Sequence, residues 1–273
     1  MRHRIQLIAA AFAASTLLAT GFAGAQCQYS PAGGMGATPN AMGDQFAMAV
    51  STDGVSTVIG ARYDDDLGDS SGSATVFRLV GSAWTPDGTL LPTDGGANDN
   101  FGASVAVSGI WAMVGAPLYE DVGITGYPDI GAVYVFKRTN GIWQQTQRLV
   151  ATNPRTNDQF GPPIALHGTA AVCGTITDAG GSVQGAAYVF RLSGNTWVLE
   201  KKLNASGTTF NFGSSVAIRD NLILVGAHNE TNGLIAFGGA AYVFEYTGST
   251  WVQRQRLVPS DPAASDNFGS SVS

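Results

Sequence analysis

A phenylalanine recurs on a fixed schedule, at Phe46, Phe101, Phe160, Phe212 and Phe268, and four of the five are followed by glycine. The spacings are 55, 59, 52 and 56 residues. A period of that length belongs to one supersecondary unit copied along the chain, each copy burying its apolar face against the next. The register inside each copy is fixed too. A Gly stands 14 residues after each of the first four Phe, at Gly60, Gly115, Gly174 and Gly226. A Trp follows a second Phe by 7 residues in every copy (Phe77 to Trp84, Phe136 to Trp143, Phe190 to Trp197, Phe244 to Trp251), and a Leu follows each Trp by 6. Most of the length difference falls between the Gly and that second Phe, where the steps are 17, 21, 16 and 18 residues. One connection varies while the hairpins around it do not.

The second copy shows the strands most clearly. Phe101 to Val107 alternates large and small, Ser108-Gly109 turns, and Ile110 to Ala116 returns, the pattern of a tight hairpin. Gly131 to Lys137 is a third strand, Arg138 to Gly141 a second turn, and Trp143 to Val150 a fourth strand. In the last copy Trp251 and Leu257 are an even number apart and are expected on one face, with Arg254 and Arg256 on the other. Those charges mark strand four as an outer edge that resists pairing with other molecules. Strand two is small and apolar, as expected where strands crowd an axis. A four-stranded antiparallel unit of this length predicts an all-β fold, a β-propeller with four complete blades (46–100, 101–159, 160–211, 212–267) and the start of a fifth at 268–273.

Asp99-Asn100-Phe101-Gly102, Val114-Gly115-Ala116-Pro117 and Gly131-Ala132-Val133-Tyr134-Val135-Phe136 resemble the FG-GAP repeat family, best known from the propeller heads of integrin alpha subunits. The likeness runs from Asp44 to Ser273. It departs from the family where Ala47 replaces Gly, where Thr175 replaces Ala, and where Pro162-Pro163 interrupts strand one. The resemblance implies a calcium loop between Phe-Gly and Gly-Ala-Pro. Here a two-residue turn is expected at that place in every repeat, and two residues cannot supply six to eight oxygens. The remaining acidic cluster is Asp64, Asp65, Asp66 and Asp69 in the variable connection of repeat one, with Glu120, Asp121 and Asp129 in that of repeat two. Asp64, Asp66 and Asp69 are the candidate metal ligands, with calcium the candidate ion, against the alternative of a solvated acidic loop. The Asp two residues before Phe46, Phe101, Phe160 and Phe268 is read as a turn cap.

The chain opens with Arg2, His3 and Arg4, an apolar stretch from Ile5 to about Phe22, and Ala23-Gly24-Ala25. That order predicts a secretory signal peptide over 1–25, a lead over 26–42, and a secreted, periplasmic or cell-surface protein. An uncleaved anchor is the alternative, since about 20 apolar residues span a bilayer. Charged residues are 12% of the chain, its net charge is −6 and its pI near 4.9, so the basic patch that nucleic-acid binding requires is missing. Cys27 and Cys173 allow a disulfide in an oxidising compartment. Alternatively Cys173 is a small buried residue, standing where other copies carry Ile59, Val114 and Val225.

No nucleophile elbow, His-Glu-x-x-His or phosphate loop occurs, and His167 and His228 lie about one repeat apart. The expected function is therefore an exported, non-catalytic binding or adhesion module that contacts protein or glycan through loops on one propeller face, without a cofactor. The alternative is a propeller hydrolase or lyase acting on extracellular polymers. The last residues, Asp266 to Ser273, copy the start of a repeat, and either close a ring near Asp44 to Val50 or begin a further blade.

Overall fold

The computed structural model describes residues 43–121, 127–175, 177, 184–206 and 210–273. The signal-peptide and lead residues, 1–42, lie outside them, as does Cys27. Among the described residues sixteen strands form four sheets, each of four antiparallel strands in chain order. Blade one is β1 (Phe46–Thr52), β2 (Ser56–Ala61), β3 (Ser73–Val80) and β4 (Ala83–Leu90). Blade two is β5 (Ser104–Ser108), β6 (Trp111–Ala116), β7 (Ala132–Thr139) and β8 (Ile142–Leu149). Blade three is β9 (Ile164–His167), β10 (Ala170–Thr175), β11 (Ala186–Ser193) and β12 (Thr196–Leu203). Blade four is β13 (Phe212–Arg219), β14 (Leu222–Ala227), β15 (Ala240–Tyr246) and β16 (Trp251–Leu257).

The fold is the expected all-β stack of propeller blades, and strand four is the outer edge of every sheet. The axis belongs to strand one, not to strand two as expected from its small residues. Val50, Val105, Ile164 and Val216, one from each first strand, line a common cavity of about 770 Å³. Strand two is small for another reason, visible at the joints between blades. A Cβ on Gly60, Gly174 or Gly226 would lie 2.0–2.1 Å from the carbonyl oxygen of the Gly after the next repeat's Phe. The Gly-Ala pair is a seat for the next Phe-Gly. A second seat is the Gly before strand three. Gly72, Gly131, Gly185 and Gly239 all have φ between +67° and +82°, and their missing Cβ leaves room for the backbone of the next Phe. That Phe then donates its N–H to the preceding blade, Phe101 to Ser71 at 3.0 Å and Phe160 to Ile130 at 3.0 Å.

In blades two to four the Phe ring turns inward on its own blade. Phe101, Phe160 and Phe212 are fully buried, and each meets a Tyr and a Phe of its third strand edge-on, at centroid distances of 5.3–6.2 Å. Three apolar clusters result, and each lies between consecutive blades rather than within one. Cys173 is a free thiol buried in the second of them, as a small apolar residue would be.

Three local expectations are corrected. Strand four carries a bulge in every blade, where its register against strand three shifts by one residue. A one-residue shift reverses the side-chain alternation, so Trp and Leu face opposite ways. Trp197 packs between blades two and three, whereas Leu203 packs between blades three and four. The strand one–two turn has two residues in blades two to four, but in blade one Thr52 pairs with Thr57 and encloses Asp53 to Ser56. Phe101 and Gly102 belong to the joint, and the ladder of β5 begins only at Ser104. Pro162 and Pro163 leave β9 the shortest strand, four residues.

The chain's last residues do not close a ring in the described structure. Phe268 bridges Gly239, and Ser215 donates its hydroxyl to the Gly269 carbonyl at 2.7 Å, so the segment is seated on blade four. It makes no ladder with Asp44 to Val50. Phe268 is 38% exposed where Phe101, Phe160 and Phe212 are 0%.

Candidate binding face

Antiparallel order within a blade sends the one–two and three–four hairpins to one end of the stack. The two–three and four–one connections go to the other. The hairpin end is stitched together. Asp53 Oδ1 accepts from the N–H of Val55 (2.9 Å) and Ser56 (2.8 Å), while Oδ2 accepts from Gly109 N–H on the next blade at 2.7 Å. Ser108 Oγ accepts from Gly168 N–H at 3.1 Å and His167 Nδ1 from Asp220 N–H at 3.2 Å, repeating the link twice. His167, with no partner evident from sequence, is thus a hairpin linker.

The other end carries the connection that varies in length, and it is closed at a common point. Four residues after the Gly of Gly-Ala, the backbone carbonyl accepts from the Gly before strand three: Asp64 from Gly72 (2.8 Å), Tyr119 from Gly131 (3.1 Å) and Glu230 from Gly239 (2.9 Å). The loop-closing role of the side chain at that position is absent from the sequence reading, which takes Asp64 only as a candidate metal ligand. Its signal was present, since an acid stands there in three of four copies, as Asp64, Asp178 and Glu230. Asp178 lies outside the described residues. Asp64 is buried and accepts from Asp66 N–H (3.0 Å) and the Ser73 hydroxyl (2.9 Å). Glu230, also buried, accepts from the Tyr242 hydroxyl (2.6 Å) and Arg256 Nε (2.7 Å). These carboxylates organise their loops from inside.

Repeat two has Tyr119 in place of the acid, and its polar groups are rearranged accordingly. Tyr134, the counterpart of Tyr242, is fully buried with a hydroxyl that has no hydrogen-bond partner. Arg148, the counterpart of Arg256, stacks on the Tyr119 ring at 4.6 Å and turns outward to Asp94 and Asp121. Beside them a cleft of about 400 Å³ runs between the four–one connection of blade one and the two–three connection of blade two. Four carboxylates line it: Asp94, Asp99, Glu120 and Asp129.

The predicted metal ligands are not gathered into a site. Asp64 is buried and bonded within its loop, whereas Asp66 and Asp69 are exposed. Among the described residues no three His, Cys, Asp or Glu side chains are grouped as a metal ion requires. The neighbouring Asp64 charge, then burial, Asp65 and Asp44, hold the Asp66 carboxyl above its ordinary range. Of the second acidic group, Glu120 and Asp129 meet in the cleft, and Asp121 faces Arg148.

The Asp two residues before Phe101, Phe160 and Phe268 caps a turn three residues back. Asp99 Oδ2 accepts from Gly96 N–H (2.8 Å), Asp158 from Arg155 (2.7 Å) and Asp266 from Ala263 (2.6 Å). At Asp99, burial outweighs that bond, and with Glu120 and Asp94 nearby the carboxyl is raised to about 6. A raised folded value means stability that is complete below the unfolded value and lost as pH climbs through about 6. Asp99→Asn keeps an acceptor for Gly96 and removes the buried charge. It is expected to stabilise the chain by about 2 kcal/mol near pH 8 and to be neutral near pH 4, as read by urea unfolding at both values.

A family model described as FG-GAP repeat matches residues 37–77, 84–136, 143–190, 197–244 and 251–273. The chain belongs to the FG-GAP repeat family. The matched unit runs from the Trp of one blade to the second Phe of the next, so the FG-GAP motif spans a joint and not a blade. No curated protein matches the chain. The calcium loop that the resemblance implies in the one–two hairpin does not fit here. Three blades offer a two-residue turn, and in blade one both Asp53 carboxylate oxygens are held by backbone N–H groups.

Proposed function

We propose that the chain is an exported, non-catalytic binding or adhesion module that meets a protein or glycan with the connections at its loop end. The observation that carries this reading is that the variation between copies falls at one end of the stack. At the hairpin end, turn side chains and amides are bonded to neighbouring blades. At the loop end, a common closing bond holds a connection whose length and residues differ from copy to copy. Loops on a rigid scaffold are where repeat proteins place their contacts. Export rests on the N-terminal signal pattern, and the non-catalytic part rests on the missing linear motifs and on His167 serving a hairpin.

The test is binding of the exported chain to protein and glycan arrays, repeated after the connection 117–131 is replaced by 228–239. The closing bond from the Gly before strand three is common to both, so the graft is expected to keep the fold. Binding lost on grafting supports the reading. No array binding, or binding that ignores the graft, contradicts it.

A further inference from the structure

We propose that the lead docks on the open leading face of blade one, with Met35 in the place that Leu90, Leu149 and Leu203 hold at the later joints. Each of those leucines ends a fourth strand and packs into the cluster shared with the following blade. Leu90, Leu149 and Leu257 stand 11 residues before the next Phe, and each follows its Trp by 6. The lead keeps this register: Met35 stands 11 residues before Phe46, and Tyr29 stands 6 before Met35. The first family match also begins upstream of Phe46, at residue 37.

Blade one offers the matching surface. Ile59 and Phe77 are the counterparts of Val114 and Phe136, which pack against the preceding blade. Ile59 and Phe77 belong to none of the three clusters between blades, yet they are only 3% and 2% exposed. A cover from outside the described residues accounts for that burial. Ala47 decides what the cover can be. At the corresponding place Gly102, Gly213 and Gly269 have φ between +84° and +95°, and a Cβ on any of them would lie 2.2 Å from the carbonyl oxygen of Ser73, Ala186 or Ala240, the first residue of strand three in the preceding blade. Ala47 holds φ +72° and carries that Cβ. A complete blade, such as blade four of a second copy, would bring a strand-three carbonyl against the methyl. A lead that supplies only the equivalent of strand four brings none. Met35 then covers the apolar face, and Ala47 keeps a further blade from seating there, the two tasks of a capping element at the end of a repeat stack.

Nuclear magnetic resonance on the exported chain tests the inference. Nuclear Overhauser contacts from the Met35 methyl to the Phe77 ring are expected, with slow hydrogen exchange at the amides of residues 34–37. Met35→Leu, which installs the residue of the other joints, keeps the slow exchange. Met35→Asp speeds it by about tenfold to a hundredfold, the factor that burial of a Met side chain represents. Amides of 34–37 that exchange at free-peptide rates, or a Met35 methyl without contact to blade one, overturn the inference. Contacts found only between differently labelled copies also overturn it, since they would put a second copy on the face. Should Met35→Asp fail to fold, the contacts and the exchange in the unchanged chain decide alone.

Discussion

Alanine in place of Gly131 is expected to destabilise the chain by more than about 4 kcal/mol, a cost reached only when backbone or core geometry is violated. A Cβ there would lie 2.3 Å from both the backbone N and O of Phe160, and the residue holds φ +74°. Backbone atoms cannot step aside as a side-chain end can, so the whole joint between blades two and three must open. Gly109→Ala is the matched control. It also has positive φ, +60°, but nothing lies within 4 Å of its added Cβ, and only the left-handed cost of about 1–2 kcal/mol applies. Urea midpoints at unchanged slope separate the two. Equal costs would mean that positive φ alone, and not seating of the next blade, accounts for these glycines.

Phe160→Ala is the second large effect, expected to cost about 3–5 kcal/mol. The ring is fully buried between blades two and three, edge-on to Tyr188 at 5.3 Å and Phe190 at 6.2 Å. In a stack where each unit touches only its neighbours, a weakened joint also separates the melting of its two sides. A broadened or two-step thermal transition is therefore expected, beyond a lowered midpoint. Phe268→Ala provides the contrast. Its backbone occupies the same seat on Gly239, but the ring is 38% exposed and, among the described residues, meets no other aromatic ring. That substitution is expected to cost less than about 1 kcal/mol. A Phe268→Ala cost equal to that of Phe160→Ala would contradict the assignment of each ring to its own blade.

The repeat register announced the blades because the joint is made of residues with no substitutes. Gly60, Gly174 and Gly226 meet backbone carbonyls, and Phe101, Phe160 and Phe212 fill fixed spaces between sheets. Such positions recur in sequence at constant spacing. What misled was alternation carried across a whole strand: the bulge opposite Val243 and Phe244 puts Trp251 and Leu257 on different faces, although their spacing is even. The axis was misplaced for a related reason. Small residues signal close approach without saying what approaches, and at Gly60 it is the next Phe-Gly rather than a crowded axis.

The binding face was legible in part. Length variation marked the two–three connection, and Glu120 and Asp129 were singled out as part of an acidic group. Asp94 and Asp99 come to the same cleft from the preceding blade's four–one connection, which no spacing within one repeat reveals. Asp64 drew notice as a metal ligand, but its position is better understood from Glu230. Both close their own loop from the buried side. Comparing the copies four residues beyond each Gly-Ala glycine would have shown this, together with the exception at Tyr119 that leaves the Tyr134 hydroxyl unmatched.

Hydrogen exchange at the joint phenylalanines tests the central claim most directly. Phe101, Phe160 and Phe212 donate their N–H groups across blade boundaries, to Ser71, Ile130 and Gln184, at 3.0 Å each. If consecutive blades are held by Phe-Gly seated on the preceding repeat, these three amides exchange as slowly as those in the middle of β6 and β10. Exchange at the rate of exposed loop amides, with the strands themselves protected, would show blades that fold without being joined in this way.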